Sequence, residues 1–362
     1  MFERFETPAP VGSGLVIQPV GQRVLEDIGV GQTALDHGAP ISRMYGAEAE
    51  TGRTVLDVSY SRPGSERFGL AIHRASLFDC LIKQVTRANI PIETSSEIVG
   101  VSDGGRLCLR NESRSDRFDL IIDAAGATSP LRQNPGRPLG YGALWGTVEW
   151  PDQLALPPDM LHQRYKAASH MLGILPIGRM PGSQKQLASI FWSLPSNTYD
   201  NWRAAPLERW KAQAALLWPE FRLCLDQITA HEQMTMARYM HGTLPRVWGG
   251  NVVHIGDAAH MASPQLGQGA NMALLDADTL ACALRAAGPL NWQLEAFVRR
   301  RRWHTRLYQA MSRAFTPFYQ SDSRLLPVIR NHVMMPLSKV SPMPNLLSRL
   351  VCGDLIRPDS LK

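Results

Sequence analysis

The chain has 362 residues, of which 44% are hydrophobic and 19% are charged, so it can bury one large core or two modest ones and is not composed like a disordered protein. Its net charge of +6 comes without a zinc-finger, helix-turn-helix or RNA-binding signature. A basic protein that attracts anionic small molecules is the simpler interpretation, and no nucleic-acid partner is expected.

The absence of recognisable targeting signals in the sequence and the pattern of its cysteines predict a cytoplasmic protein. No apolar run reaches the ~18 residues that a membrane span needs, and the first residues lack the apolar region of a signal peptide. The five cysteines are widely spaced and form no CxxC pair, which predicts reduced thiols.

The N-terminal part begins abruptly. Met1 to Phe5 have the pattern of the end of a strand, and a glycine-containing loop at 11–15 leads into a helix predicted from about Pro19. Gly29 is predicted to end that helix as a left-handed cap. The sequence contains no GxGxxG turn.

Residues 38–71 alternate between apolar and polar side chains, which predicts antiparallel strands. A helix is predicted to start near Arg74, since apolar residues recur on one face after it. Strands at 90–101 and 106–110 are predicted to form a hairpin through Asp103-Gly104-Gly105. A buried strand at 118–122 follows and ends at Asp123.

From 143 to 245 the pattern changes to strands followed by helices, with many aromatic residues. An aromatic sheet could form the wall of a pocket for a planar substrate. Ordinary sheet packing explains the same residues, and residue by residue it is the favoured interpretation.

The segment 251–284 is the most informative. A short apolar run predicts a buried strand that ends at Gly256-Asp257, and a turn containing Pro264, Gly267 and Gly269 leads into an apolar helix. The unpaired N–H groups at such a helix start attract an anion or an electron-rich ring edge, and Asp257 can accept hydrogen bonds from sugar-like hydroxyls. Alternatively, Asp257 only caps the turn and the glycines only relieve crowding; the ordered combination favours binding.

The last part is helical. A basic helix is predicted at 291–315, and its four arginines Arg299 to Arg302 are expected to be solvated. Residues 316–362 form proline-punctuated helical pieces rich in Leu, Met and Val. Packing against the preceding domain is favoured for them, and peripheral contact with a membrane surface is the alternative.

The ordered set Gly256-Asp257-Ala258-Ala259-His260 and Pro264-x-x-Gly267-x-Gly269 resembles the second flavin-binding motif of the class A flavoprotein monooxygenases, the aromatic hydroxylases of the para-hydroxybenzoate hydroxylase and ubiquinone-pathway hydroxylase type. The resemblance implies an α/β fold: a three-layer, Rossmann-like FAD-binding domain with an interleaved antiparallel-sheet substrate domain and an incomplete N-terminal βαβ unit. It also implies a domain division, with FAD-binding segments at 1–37, 72–142 and 246–310, substrate-domain segments at 38–71 and 143–245, and C-terminal helices at 311–362.

The resemblance also implies residue roles. Asp257 would hold the ribityl chain of the flavin, the turn would lie along the isoalloxazine ring, Arg74 would reach the phosphates and Glu3 the adenosine ribose. The expected cofactor-binding residues are Glu3, Arg74, Gly256, Asp257, Pro264, Gly267, Gln268, Gly269, Ala270 and Asn271.

Two departures from the family pattern leave alternatives open. The βαβ start with its GxGxxG turn would precede Met1, so either the start codon is misplaced or the chain is a truncated relative. In the middle motif, Ala125 stands where the family usually has Asp, and Asp123 either substitutes for that acid or caps the turn.

The chemistry implied is hydroxylation of a phenolic, quinone-precursor or heteroaromatic substrate. NAD(P)H would reduce FAD, and O₂ would form a flavin hydroperoxide that delivers one oxygen atom to the ring. No catalytic base can be named from the sequence. The competing hypotheses are a flavin-dependent reductase or halogenase relative, suggested by Asp123-Ala124-Ala125-Gly126, and a non-catalytic remnant.

Overall fold

The structure is a computed structural model that describes residues 1–9, 12–102 and 104–356. The strands are β1 Gly14–Ile17, β2 Ala39–Ile41, β3 Arg43–Glu48, β4 Thr54–Ser59, β5 Gly69–His73, β6 Ile98–Ser102, β7 Arg106–Leu109, β8 Arg114–Arg117, β9 Ile121–Asp123, β10 Arg137–Glu149, β11 Met160–Lys166, β12 His170–Pro176, β13 Leu187–Pro195, β14 Met234–Thr243, β15 Trp248–Gly249, β16 Val252–His254 and β17 His260–Met261.

The helices include one of 30 residues. They are α1 Pro19–Asp27, α2 Gly31–His37, α3 Arg74–Arg87, α4 Tyr199–Ala204, α5 Leu207–Leu217, α6 Arg222–Leu225, α7 Gly269–Leu284, α8 Leu290–Tyr319, α9 Leu325–Ile329, α10 Met335–Ser338 and α11 Met343–Cys352, with a π-helical stretch at Arg330–Met334 between α9 and α10.

The largest sheet has eight strands in the order β17-β14-β10-β13-β12-β11-β3-β4. Its pairings are antiparallel except for the parallel pair β11–β3. Because alternate residues of a strand point to opposite faces, Leu144 and Trp192 point to one face and pack on α5 and α6 in one hydrophobic cluster. Trp145 and Phe191 point to the other face, with ring centroids 4.7 Å apart.

A second, Rossmann-like layer faces that sheet. β16 pairs in parallel with β9, and helices α7 and α8 pack on these strands through Val253, Leu280 and Phe297. The small sheet β1-β5-β2 joins this layer to the large sheet, since the Ser13 hydroxyl lies 2.7 Å from the hydroxyls of both Thr147 and Ser189. The predicted α/β architecture with an interleaved antiparallel sheet is therefore confirmed.

Several local predictions are confirmed and one is wrong. α1 begins at Pro19, and Gly29 follows its end with φ +77°. β6 and β7 form the predicted antiparallel hairpin, although Asp103 of its turn lies outside the described residues. The predicted strand at 90–101 begins only at Ile98. Residues 90–97 contain Pro91, which cannot donate a ladder hydrogen bond, and form only an isolated bridge from Glu93 to Phe2.

The domain division stays a prediction. β10 starts at Arg137 and runs through the boundary predicted between residues 142 and 143. Within the described part of the chain, no helix is both long enough and apolar enough to cross a membrane.

Candidate functional site

The loop between β16 and α7 is shaped by two left-handed glycines. Gly256 has φ +56° and opens a short 3₁₀ turn that ends at Ala258. Gly267 has φ +60° and ends a second 3₁₀ turn that starts at Pro264. A residue with a Cβ atom would be strained at either position. These two turns fix the path of the chain from the strand to the helix.

The loop has an accessible side and a buried side. Asp257, Pro264 and Gly269 are exposed, whereas Gly256, Gln268 and Asn271 are buried. The first turn of α7 has no side-chain cap, so its N–H groups are available on the accessible side. A Cβ atom added at Gly269 would meet nothing within 4 Å, which leaves room for a ligand to approach the backbone closely.

Asp257 and Arg74 face each other across this accessible side. Burial raises the pKa of Asp257, and the charges of His260, Arg74 and Arg132 oppose that rise. Burial also lowers the pKa of Arg74, and Asp257 and Tyr239 oppose that change. Asp257 is solvent-accessible and yet surrounded by protein, so it lies in a cleft. The structure thus brings together two residues that the sequence nominated separately.

On the buried side, two predicted cofactor residues use their side chains to bind the protein. The Gln268 amide donates to the carbonyl oxygen of Val351 at 2.9 Å. The Asn271 side chain accepts the backbone N–H of Gln18 at 2.7 Å and donates to the Gly267 carbonyl at 2.9 Å. These two side chains therefore hold the loop in place, and only their backbone groups face the helix start, beside Ala270.

The middle motif supports the loop from below. Asp123 accepts from the Ala125 N–H at 3.0 Å and the Ser129 hydroxyl at 2.7 Å, and it lies 2.7 Å from His254 Nδ1. It therefore caps its own turn, which was one of the two open alternatives. Arg132 donates to the carbonyl oxygens of Ala258 at 2.6 Å and Asp257 at 3.2 Å.

One expectation about the basic helix is wrong. Arg301 is only 4% exposed, and its Nε donates to Asp276 at 2.7 Å. Its three neighbours in the arginine run point elsewhere around α8, so only this one meets an acid on α7. The pairing of His260 with Asp276 was not predicted. His260 is the last residue of the motif that contains Asp257, and Asp276 lies on the buried face of α7; these two positions were the signal for it.

Two aromatic residues of the large sheet lie near Arg74. Trp145 Nε1 donates to the Tyr239 hydroxyl at 2.7 Å, and burial raises the pKa of Tyr239 while Arg74 opposes that rise. Of the aromatic residues in this half of the chain, Trp192, Trp202 and Trp210 pack in the helix-covered core or on its edge. The packing interpretation holds for these three, and a role of the sheet as the wall of a substrate pocket stays a prediction. Tyr239 was missed, because strand β14 was not predicted.

Glu3 does not contact the loop that carries Asp257. Its backbone N–H donates to the Glu93 carbonyl at 2.8 Å, its carbonyl accepts from Ser96, and its carboxylate accepts the Phe5 N–H at 3.0 Å. These contacts place it beside the segment after α3, and its predicted role with a ribose stays a prediction.

The Rossmann-like layer, the eight-stranded sheet and the loop that carries Asp257 together have the architecture of a flavoprotein monooxygenase fold. Residues 1–305 match the family described as FAD binding domain, and the chain belongs to that family.

Relatives and solved structures agree with this assignment. The chain is 25% identical to 6-methylpretetramide 4-monooxygenase of Streptomyces rimosus over 94% of this chain and 83% of the relative. It is 24% identical to 3-hydroxybenzoate 6-hydroxylase of Klebsiella oxytoca, covering 78% and 73%. The tetrameric form of 2-methyl-3-hydroxypyridine-5-carboxylic acid oxygenase superposes with a TM-score of 0.78 at 21% identity, covering 96% and 88%.

The predicted identity is confirmed at the level of class. The protein is an FAD-dependent oxidoreductase, a monooxygenase of the aromatic hydroxylase type, with NAD(P)H as co-substrate. These relatives favour that function over a halogenase, a reductase or a non-catalytic remnant. The individual cofactor contacts stay predictions.

Proposed function

We propose that the protein hydroxylates a phenol or hydroxypyridine ring that already carries an electron-releasing hydroxyl group, with the ring held in the cleft between Trp145, Tyr239 and the Asp257 loop. The observation that supports this proposal is the position of Arg74, whose charge acts both on Asp257 of the loop and on Tyr239 of the aromatic sheet face. Two of the relatives are named for hydroxylated aromatic acids, 3-hydroxybenzoate and 2-methyl-3-hydroxypyridine-5-carboxylic acid.

The residues on the accessible side of the loop fit the flavin half of FAD. Asp257 would accept hydrogen bonds from the sugar-alcohol chain, and Arg74 would pair with a phosphate through its guanidinium. Pro264, Gly267 and Gly269 would lie along the ring, where the N–H groups of α7 favour negative charge at its edge. Glu3 would bind the adenosine ribose. Gln268 and Asn271 support this surface from behind.

FAD supplies the redox chemistry when bound, taking electrons from NAD(P)H and activating O₂ for transfer of one oxygen atom. The chain's own contribution is to hold the substrate ring against the cofactor and to exclude water from it. The Trp145 and Tyr239 side chains would supply an aromatic wall for this purpose.

The test uses the FAD-loaded protein with NAD(P)H, ¹⁸O₂ and two probes, 3-hydroxybenzoate and 2-methyl-3-hydroxypyridine-5-carboxylate. We expect one ¹⁸O atom in the product of at least one probe by mass spectrometry. Asp257→Asn should weaken FAD binding by about tenfold, the effect of losing a charge-assisted hydrogen bond of ~1.4 kcal/mol or more. Asp278→Asn, on α7 and away from the cleft, is the matched control. Consumption of NAD(P)H without labelled product from any phenol contradicts the proposal.

A second proposal concerns the C-terminal helices. The exposed aliphatic residues there include Leu325 at 65%, Leu337 at 55% and Val340 at 58%, and residues 323–353 contain no Asp or Glu but include exposed Arg324 and Lys339. An apolar surface that carries positive charge and lies between Asp322 and Asp354 in the sequence complements an anionic lipid surface. It is a poor match for a second copy, because a two-fold contact would bring like charges together.

We propose that this surface makes peripheral contact with anionic membranes from the cytoplasmic side, where the five free thiols of the described residues would stay reduced. Sedimentation with vesicles containing phosphatidylserine should capture the protein, and vesicles of phosphatidylcholine alone should capture much less. The double variant Leu337→Glu, Val340→Glu should remain in the supernatant with unchanged FAD content. Equal sedimentation of the variant, or a dimer that the variant abolishes, contradicts this proposal.

A further inference from the structure

A chain of buried polar groups lies directly behind Pro264. His241 Nε2 is 3.2 Å from the Ser312 hydroxyl, which is 3.0 Å from the Ser263 hydroxyl. Ser263 is in turn 2.5 Å from the Thr316 hydroxyl, which donates to the Ser312 carbonyl at 2.6 Å. Ser263, Ser312 and Thr316 are all buried. No step of the flavin chemistry described above uses these groups.

The direction of donation in this chain is fixed by its last member. The Thr316 proton is committed to a carbonyl oxygen, so the Thr316 oxygen accepts from Ser263 and Ser263 accepts from Ser312. With its own proton given to Ser263, the Ser312 oxygen accepts from Nε2–H of His241. The neutral ring therefore carries its proton on Nε2. Its other nitrogen, Nδ1, has no hydrogen-bond partner among the described residues and is a free acceptor.

His241 lies on the sheet face that carries Tyr239. It is two residues after Tyr239 on β14, so both side chains point to the same face of the sheet. Its neighbour Gly242 pairs with Met261 of β17, three residues before Pro264. The partly exposed His241 ring therefore shares a sheet face with Tyr239 and lies next to the strand that leads into the loop predicted to carry the flavin ring.

The elements packed against His241 place several charged or titratable groups near its ring. Arg313 follows Ser312 on α8, and Arg137 on β10 is the cross-strand partner of His241. The Arg132 guanidinium lies close to Gly242, the residue after His241. His260 on β17 is engaged by Asp276. Burial first and Arg313 second lower the pKa of His241. The ring is therefore neutral near neutral pH, and the arginines favour a negative charge in front of it.

We propose that His241 is the general base of the hydroxylation, with Ser312 and Ser263 as positioning residues that hold the proton on Nε2. This inference rests on the function proposed above. The substrate O–H bond breaks, its proton forms an N–H bond at Nδ1, and the electron pair stays on the phenolate oxygen. The phenolate ring is more electron-rich and accepts oxygen more readily. The imidazolium returns the proton to the medium when the product leaves.

Two hydroxybenzoic acids whose hydroxyl groups ionise at different pH distinguish a general base from a merely structural residue. In 3-hydroxybenzoate the hydroxyl is protonated at neutral pH, whereas in 3-hydroxy-4-nitrobenzoate it ionises much more readily and is largely phenolate at mildly alkaline pH. With the FAD-loaded His241→Gln variant at that pH, turnover of 3-hydroxybenzoate should fall by about 10²-fold or more, the usual contribution of a general base. Turnover of the nitro acid should be nearly unchanged. Equal losses for both acids overturn the inference.

The pH profile and the tautomer give independent readouts. In the wild-type protein kcat/KM for 3-hydroxybenzoate should fall on the acid side as the imidazole becomes protonated, and His241→Gln should lack that acid limb. Ser312→Ala should lower kcat by about tenfold without changing FAD content, through loss of one orienting hydrogen bond. His332→Gln, on the exposed side of the C-terminal helices, is the control for loss of a histidine.

Nitrogen NMR of protein labelled at histidine requires no turnover. We expect the His241 signal of the FAD-loaded protein to be that of a neutral ring protonated at Nε2, and a proton on Nδ1 overturns the inference whatever the substrate. A wild-type protein that hydroxylates no phenol contradicts the proposed function and this inference together. A wild-type protein that hydroxylates both acids, with a His241→Gln variant that keeps its rate and its pH profile, contradicts this inference alone.

Discussion

Asp276 Oδ2 lies 2.6 Å from His260 Nε2, and this contact ties helix α7 to the loop that carries Asp257. The same oxygen accepts the Gly256 N–H at 2.9 Å, and Oδ1 accepts from Arg301 at 2.7 Å. Burial opposes a charge on Asp276, but His260 and Arg301 hold the pKa of this carboxyl well below its usual range. One buried carboxylate therefore fixes both the strand end and the turn after it against α8.

Asp276→Asn should destabilise the protein strongly. It leaves Arg301 buried without its acid, which costs about 3–5 kcal/mol in comparable cases. Urea unfolding followed by tryptophan fluorescence measures the loss, and FAD titration should show weaker binding because the Asp257 loop loses its support. Asp278→Asn, two residues further along α7 and only partly buried, should change both quantities little. A stability equal to that of the wild-type protein would show that Arg301 finds another partner.

Two glycines of the loop should respond differently to the same substitution. Gly267→Ala forces a side chain into a left-handed conformation and towards Gln18, with a cost of about 1–2 kcal/mol. Gly269→Ala meets nothing in the protein and replaces glycine at a helix start. We expect it to keep or slightly raise the thermal midpoint of unfolding and to lower FAD affinity, because its methyl group would occupy the space of the ligand.

Calorimetry of the FAD-free proteins and FAD titration separate these effects. Unchanged FAD affinity in Gly269→Ala would mean that the flavin ring does not lie against the start of α7.

The parts of the site that are local in the sequence could be predicted from it. Strand, glycine turns and helix follow one another between Val252 and Leu284, so periodicity and turn chemistry located the loop and its accessible acid. Arg74 was located through the resemblance to the family, at the start of a helix that its apolar face predicts. The resemblance to a family then supplied roles that geometry alone would not give.

The rest depends on contacts between distant segments. Arg301 stands in a run of four arginines, and only the packing of α8 on α7 decides which of them is buried. Gln268 contacts the backbone at the end of α11, and His241 reaches Ser312 across the interface of the two layers. Helical or strand periodicity carries no information about which face of one element meets which residue of another.

Stability should fall in mildly acidic solution because of His304. Burial, followed by the charge of Arg301, lowers the pKa of His304 to about 4, against an ordinary value of 6.5. Between these values the unfolded chain binds a proton that the folded protein does not. The free energy of unfolding therefore falls as pH drops below 6.5, by about 3 kcal/mol in total from this residue. No contribution is expected above that pH.

His304→Gln tests this directly. The native ring donates to the Gly353 carbonyl at 2.8 Å and faces Arg301 at 3.3 Å, and a glutamine amide offers both a donor and an acceptor without titrating. Urea unfolding at a series of pH values should give a shallower acid slope for the variant than for the wild-type protein. His332→Gln, at an exposed position, should keep the wild-type slope. Parallel slopes for wild type and His304→Gln would mean that another buried group causes the acid sensitivity.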